Sequence, residues 1–331
     1  LRKIFNVTYK LIMEGITNSK TKILVTGGAG FIGSTMIDKL LENPDNFVVI
    51  VDNLSTGNIK RLPPKNKNAN WKFIKCNCNE YRDIRAVMMA YRFDYVFHYA
   101  AVVGVKRTLE HPASVLSDIQ GIKYILDLSK NTGVKRVFFS SSSEVYGEPF
   151  EHPQNEMTTP LNSRLPYAVV KNVGEAFLRS YKQEFNLDYT IFRFFNTYGP
   201  KQSSDFVMTK FIKAALNGSR ITIYGDGSQT RTFCYRDDNV DACIKTLYDN
   251  LHLNDTVNIG SDSEIKILSL AKLIIKITNS KSEIIFLPPL AEGDMTRRKP
   301  DITKMKSLLN RPLIPIEEGI KKTIESGQYN Y

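Results

Sequence analysis

TGGAGFIGS, residues 26–34, follows the apolar run KILVT at 22–26 and opens a stretch of helical periodicity at 31–42. Gly27, Gly30 and Gly33 stand three apart where the strand gives way to the helix. Glycines in such a turn let the chain reverse tightly and let backbone N–H groups approach a pyrophosphate, whose charge the helix dipole favours. About 20 residues further on, Asp52 ends the next apolar run, FVVIV at 47–51. A carboxylate there accepts hydrogen bonds from adenosine ribose hydroxyls and repels a 2′-phosphate, and Asn53 beside it supplies no cation to offset that repulsion. The loop and acid together predict a dinucleotide site that takes NAD rather than NADP.

The same rhythm continues outward. Apolar runs WKFIK at 71–75, YVFHY at 95–99 and RVFFS at 136–140 alternate with helical patterns at 80–91, 112–131 and 166–186. Strands separated by helices of this length predict an α/β fold of Rossmann type, a doubly wound parallel sheet. After YTIFRFF at 189–195 the pieces shorten: helices near 205–217, 237–250, 266–279 and 302–310, and strands near 221–224 and 232–235. Residues 21–195 are therefore expected to form the dinucleotide-binding domain. Residues 196–331 form mainly a smaller α/β substrate lobe interleaved with it, and 1–20 an N-terminal extension with only one acid and polar interruptions at Asn6, Thr8 and Lys10.

PYAVVK at 166–171 places Tyr167 and Lys171 four apart, on one face of a helix that Pro166 is suited to begin. A tyrosine is a poor base at neutral pH, but a neighbouring ammonium and a positively charged nicotinamide both favour its phenolate. SSSSEVYG at 140–147, just after the fifth strand, offers the hydroxyls of Ser141 and Ser142 to the same reacting oxygen.

With 45 Lys and Arg against 34 Asp and Glu, the 331-residue chain carries a formal charge of +11. The basic residues are scattered, so a phosphate-bearing small molecule explains the charge better than nucleic acid does. Cys76, Cys78, Cys234 and Cys243 form no paired knuckles, and with four histidines no metal site is expected. They read as free thiols in a reducing, cytoplasmic setting, and no apolar run is long enough to cross a membrane.

TGGAGFIGS, DNLSTGN, FHYAAVVGVKRTLEHP, SSSEVYG, PYAVVK, RFFNTYGP, YGDGSQTRTFCYRDDNVDA and TRRKPDI follow one another between residues 21 and 325. In this order they resemble the extended short-chain dehydrogenase/reductases that act on nucleotide sugars. The resemblance implies that Gly27, Gly30, Phe31, Ile32, Gly33, Asp52, Asn53 and Ala100 hold NAD, with Asn77 and Cys78 near the adenine. Ser142, Tyr167 and Lys171 would oxidise the sugar at carbon 4, Tyr167 and Lys171 also contacting the cofactor. Asn196 would lie where the sugar meets its diphosphate, and Lys210, Tyr224, Arg231 and Arg298 would face the nucleotide and phosphates. It also implies a homodimer through the helices at 112–131 and 166–186, with Val115, Ile119, Ile122 and Ile125 either at that interface or against the sheet. Arg236 stands where the family usually has an apolar residue.

Glu144 bears on the reaction that follows oxidation. A glutamate there resembles the UDP-glucuronate decarboxylases and the 4,6-dehydratases. Ser143 replaces the aspartate that many dehydratases carry, which favours decarboxylation. GDGSQTRTFCY and GDMTRRKPDITK also resemble decarboxylase segments, with Arg298 as a partner for a sugar carboxylate, whereas VGVKR at 103–107 resembles the 4-epimerases. The expectation is a UDP-glucuronate decarboxylase-type lyase, with NDP-sugar 4-epimerase, 4,6-dehydratase and a non-catalytic dinucleotide sensor as alternatives.

Overall fold

The computed structural model describes residues 20–64, 70–103, 108, 111–148, 150–289 and 297–327. Most of the N-terminal extension, residues 104–107 of VGVKR and residues 293–296 of GDMTRRKPDITK lie outside these. The chain runs β1 (Thr21–Thr26), α1 (Phe31–Leu40), β2 (Asn46–Asp52), β3 (Trp71–Lys75), α2 (Tyr81–Tyr91), β4 (Tyr95–His98), α3 (Pro112–Leu116), α4 (Asp118–Thr132), β5 (Arg136–Ser142), α5 (Pro166–Phe185) and β6 (Asp188–Phe194). It continues through β7 (Thr197–Tyr198), α6 (Val207–Leu216), β8 (Ile221–Tyr224), β9 (Thr230–Thr232), β10 (Cys234–Tyr235), α7 (Arg236–Tyr248), β11 (Asp255–Ile259), β12 (Glu264–Lys266), α8 (Ile267–Thr278), β13 (Ile284–Leu287), α9 (Thr303–Leu309) and α10 (Ile316–Glu325).

Seven strands form one sheet in the order β11-β6-β5-β4-β1-β2-β3, every pair parallel. Nearly continuous apolar runs are what such a sheet needs, because helices cover both faces. One face buries Leu24, Val96, Val137 and Ile191 against α2, α4 and α5. The other buries Ile23, Val25, Phe97 and Phe138 against α1, α7 and α9. A third core is built from α6, α8, α10 and the strands β8 and β10.

The single helix expected at 112–131 is two, α3 and α4, meeting at Ser117, whose hydroxyl donates to the Ser114 carbonyl at 2.6 Å. Val115, Ile122 and Ile125 are buried inside the chain with Val137 and Phe139, so they give no outward-facing patch. β11 supplies the seventh strand of the sheet although it lies deep in the C-terminal half, and β13 and α10 are further elements that the sequence pattern does not announce. The chain reverses direction across the sheet between β1 and β4, and a ligand cleft is expected beyond the carboxyl ends of the strands at that switch.

Candidate active site

A cleft of about 760 Å³ opens there. In the turn that follows β1, Gly27 holds φ +65°, and a Cβ on it would stand 2.7–2.8 Å from the backbone of Tyr99 and Ala100. Helix α1 begins behind Gly30, which has no side chain with which to cap it. The amides of Phe31 and Ile32, which line the cleft, therefore have no intrahelical acceptor. Such a helix start suits a diphosphate. At the end of β2, Asp52 accepts the Ala29 N–H at 3.0 Å and the Leu54 N–H at 2.7 Å. Burial pushes its carboxyl above the usual range, against those hydrogen bonds and the Arg61 charge. Asn53, Asn77, Cys78 and Ala100 line the same end of the cleft. So does the buried Arg61, which donates to the carbonyls of Ala29 and Thr56 at 3.3 Å and which no sequence spacing places beside the turn.

The glycine turn is built around closeness that a methyl group prevents. A Cβ on Gly33 would lie 2.4 Å from the Gly27 carbonyl oxygen. Gly33→Ala is expected to weaken NAD binding about tenfold or more, a loss of at least roughly 1.4 kcal/mol, measured by calorimetric titration of the purified protein.

At the other end, Pro166 starts α5 and sets Tyr167 and Lys171 one turn apart. Lys171 is 2% exposed, donates to Ser140 Oγ at 3.4 Å and stands 5.7 Å from the centroid of the Tyr167 ring. Burial lowers its pKa to about 8, opposed by the charge of Asp118. Tyr167 is shifted the other way. Burial and the nearby Glu144 carboxylate raise its pKa, and a hydrogen bond with Ser142 only partly opposes them. The phenolate expected from the ammonium and the nicotinamide together is thus not favoured by the residues around Tyr167 alone.

Both serines line the cleft, and Ser142 Oγ accepts the Glu144 N–H at 3.2 Å. The Ser141 hydroxyl is engaged elsewhere, donating to Glu175 at 2.7 Å. Glu144 itself accepts from Arg298 Nη1 at 2.8 Å, and both line the cleft beside Tyr167. Asn196 lines it as well and donates to the Thr232 carbonyl at 3.2 Å.

Lys210, Tyr224 and Arg231 are not among the described residues of the cleft wall. Lys210 is exposed on α6, Tyr224 is 41% exposed at the end of β8, and Arg231 turns its guanidinium onto the Thr230 carbonyl. Arg236 has a structural explanation: its stem packs over Gly199 and its guanidinium donates to the Pro200 carbonyl at 2.7 Å. His98 is buried against Thr26 Oγ1 at 2.9 Å, and burial lowers its pKa to about 3, so it is neutral. Among the described residues no group of three or more His, Cys, Asp and Glu is arranged to hold a metal ion, and no helix is long and apolar enough to cross a membrane.

A glycine turn at a helix start, an acid ending the second strand and a Tyr/Lys pair thus share one cleft. Residues 23–260 match the model of the NAD dependent epimerase/dehydratase family. The chain belongs to that family. Other proteins similar to this NAD dependent epimerase/dehydratase include UDP-glucuronic acid decarboxylase 1 of Danio rerio, 35% identical over 92% of this chain and 72% of that protein. Among solved structures, the UDP-glucose 4-epimerase of Thermotoga maritima, with UDP-glucose, is 35% identical, with a TM-score of 0.86 over 92% of this chain and 97% of that one. The UDP-glucuronic acid 4-epimerase of Bacillus cereus, in complex with UDP-glucuronic acid and NAD, is 30% identical, with a TM-score of 0.82 over 92% and 98%. The cofactor of this family member is NAD.

Proposed function

We propose that the chain decarboxylates UDP-glucuronate or a closely related UDP-uronate, and that the Glu144–Arg298 pair beside Tyr167 is what fits it to a sugar acid. NAD, which the glycine turn and Asp52 would hold, would supply the hydride acceptor for carbon 4 and the hydride returned at the end of the turnover. Tyr167 takes the proton of the carbon 4 hydroxyl, and Ser142 hydrogen-bonds that oxygen. Lys171 holds positive charge beneath the tyrosine, and Arg298, by pairing with Glu144, blunts the negative charge that works against its phenolate.

With a ketone at carbon 4, the bond from carbon 5 to its carboxylate breaks. The electron pair passes into the enolate, carbon dioxide leaves, and a proton returns to carbon 5. Arg298 is already half-compensated by Glu144, so it orients the sugar carboxylate without holding it strongly against departure. Asn196 and the turn at the start of α1 would hold the two diphosphates at opposite ends of the cleft.

Support comes from the decarboxylase relative, which matches this chain along most of its length. One observation favours a 4-epimerase instead: Arg298 already has an anion in Glu144 and needs none from the sugar. Incubation with NAD and UDP-glucuronate should release carbon dioxide and give a UDP-pentose by mass spectrometry. An isomer of unchanged mass, from UDP-glucuronate or UDP-glucose, would replace decarboxylation with epimerisation. Arg298→Lys, which loses the guanidinium fork, is expected to lower kcat/KM for UDP-glucuronate about 10- to 100-fold with little change in Tm.

The proposal includes a homodimer through α4 and α5, the latter of which ends on the exposed Phe185. Light scattering coupled to size-exclusion chromatography tests it. The four free cysteines, all buried, suit the cytoplasmic setting proposed for it.

A further inference from the structure

We propose that Glu264 on β12, off the cleft wall, is a positioning residue: by gripping Arg297 and Lys299 on the outside of the chain it turns the arginine between them, Arg298, into the cleft. The inference rests on Arg298 facing the sugar as proposed above.

Arg297, Arg298 and Lys299 are three cations in a row, two of them guanidinium groups of equal reach. Side chains of an extended segment alternate between its two faces, so a slip of one residue would send Arg297 inward and Arg298 out. The backbone here pairs through single bridges rather than a ladder, Thr230 with Arg297 and Gln154 with Pro300. At the second bridge the Gln154 N–H donates to the Lys299 carbonyl at 2.7 Å and the Asp301 N–H to the Gln154 carbonyl at 2.8 Å. Pairing this short specifies register weakly, which leaves the choice between the arginines to their side chains.

Glu264 makes that choice. Its two oxygens accept from Arg297 Nε and Nη2, each at 2.7 Å, a forked pair that a guanidinium meets in one orientation. Lys299 Nζ lies 3.5 Å from Oε2, and Thr230 Oγ1 donates to Oε1 at 3.1 Å, which ties the carboxylate to β9. Both neighbours of Arg298 are thus drawn to one side. Arg298 itself is 6% exposed, lines the cleft and meets Glu144 at 2.8 Å, whereas Arg297 is exposed. One carboxylate outside and one inside sort the three cations. An exposed ion pair adds little to stability, so loss of Glu264 is expected to show in the aim of Arg298 and not in Tm.

Phenylglyoxal labelling of the NAD-loaded protein reports on Arg298 without relying on turnover, and peptide fragmentation separates its modification from that of Arg297. Glu264→Ala is expected to speed labelling of Arg298 about tenfold and to lower kcat/KM for UDP-glucuronate about tenfold. In an Arg298→Lys background the same substitution is expected to change kcat/KM less than about twofold, because its effect passes through Arg298. If Glu264→Ala does not fold, Arg297→Met, which breaks the fork from the other side, must give the same results. An unchanged labelling rate at Arg298 in a folded variant overturns the proposal, as does an equal fall of kcat/KM in both backgrounds. An unaltered enzyme that releases no carbon dioxide from UDP-glucuronate overturns the decarboxylase reading, while the labelling rate still decides the part played by Glu264.

Discussion

Tyr167→Phe is expected to lower turnover about 100- to 10,000-fold, with NAD affinity and thermal stability close to those of the unaltered protein. In the mechanism proposed above the hydroxyl exchanges a proton with the sugar, and removing it leaves the ring packed at the start of α5. The protein by itself holds this hydroxyl protonated, through burial and the charge of Glu144. The free protein should therefore show no phenolate absorbance near neutral pH, and a difference spectrum should acquire it only after NAD is added. Steady-state kinetics and ultraviolet difference spectroscopy check the two halves separately. A dinucleotide sensor without catalysis would lose nothing on this substitution, so the same variant separates an enzyme from a scaffold.

Glu175→Ala is expected to destabilise the fold by about 3–5 kcal/mol, the range for leaving one member of a buried ion pair without its partner. Glu175 is 0% and Arg193 2% exposed, and two hydrogen bonds of 2.9 and 2.7 Å join them. Arg193 also donates to the Tyr146 hydroxyl at 2.9 Å, which in turn donates to Asn258 at 2.7 Å. Burial pushes the Glu175 carboxyl up, but the arginine and Ser141 more than offset it, so the group stays ionised. Without it, the arginine keeps its charge in a place that water does not reach. Urea denaturation read by circular dichroism checks the magnitude. The double variant Glu175→Leu with Arg193→Met should recover much of the loss, because replacing both ions with apolar groups removes their desolvation cost.

The end of the cleft proposed to hold the cofactor was legible because each of its signals is local. A glycine turn, a helix start and a strand-ending acid lie within 27 residues of one another, from Thr26 to Asp52, and backbone conformation alone brings them together. Tyr167 and Lys171 were legible for the same reason, since one helical turn joins them. Contacts made across the sheet were not. Nothing in the spacing of Glu144 and Arg298 shows that they meet, 154 residues apart in sequence. Lys210, Tyr224 and Arg231 were assigned by resemblance rather than by any local signal, and the described structure leaves them off the cleft wall. Asp118 also lines the cleft, and the sequence marks it as an acid in register with the buried Val115, Ile122 and Ile125. β11 escaped because DTVNI, with Asp255, Thr256 and Asn258 among its five residues, lacks the nearly continuous apolar run that marks the other strands of the sheet.

That late strand also bears on how the chain matures. β6 pairs with β5 on one side, and its other edge meets β11 over the full length Asp255–Ile259. On a ribosome, the dinucleotide half is therefore made and collapsed while one border of its sheet is still bare, and that border is open to a neighbouring nascent chain until residue 259 emerges. A fragment cut after residue 195 would carry the whole glycine turn and the Tyr/Lys pair and still be prone to aggregate. Recovery of soluble protein from a series of C-terminal truncations should rise sharply only once β11 is included.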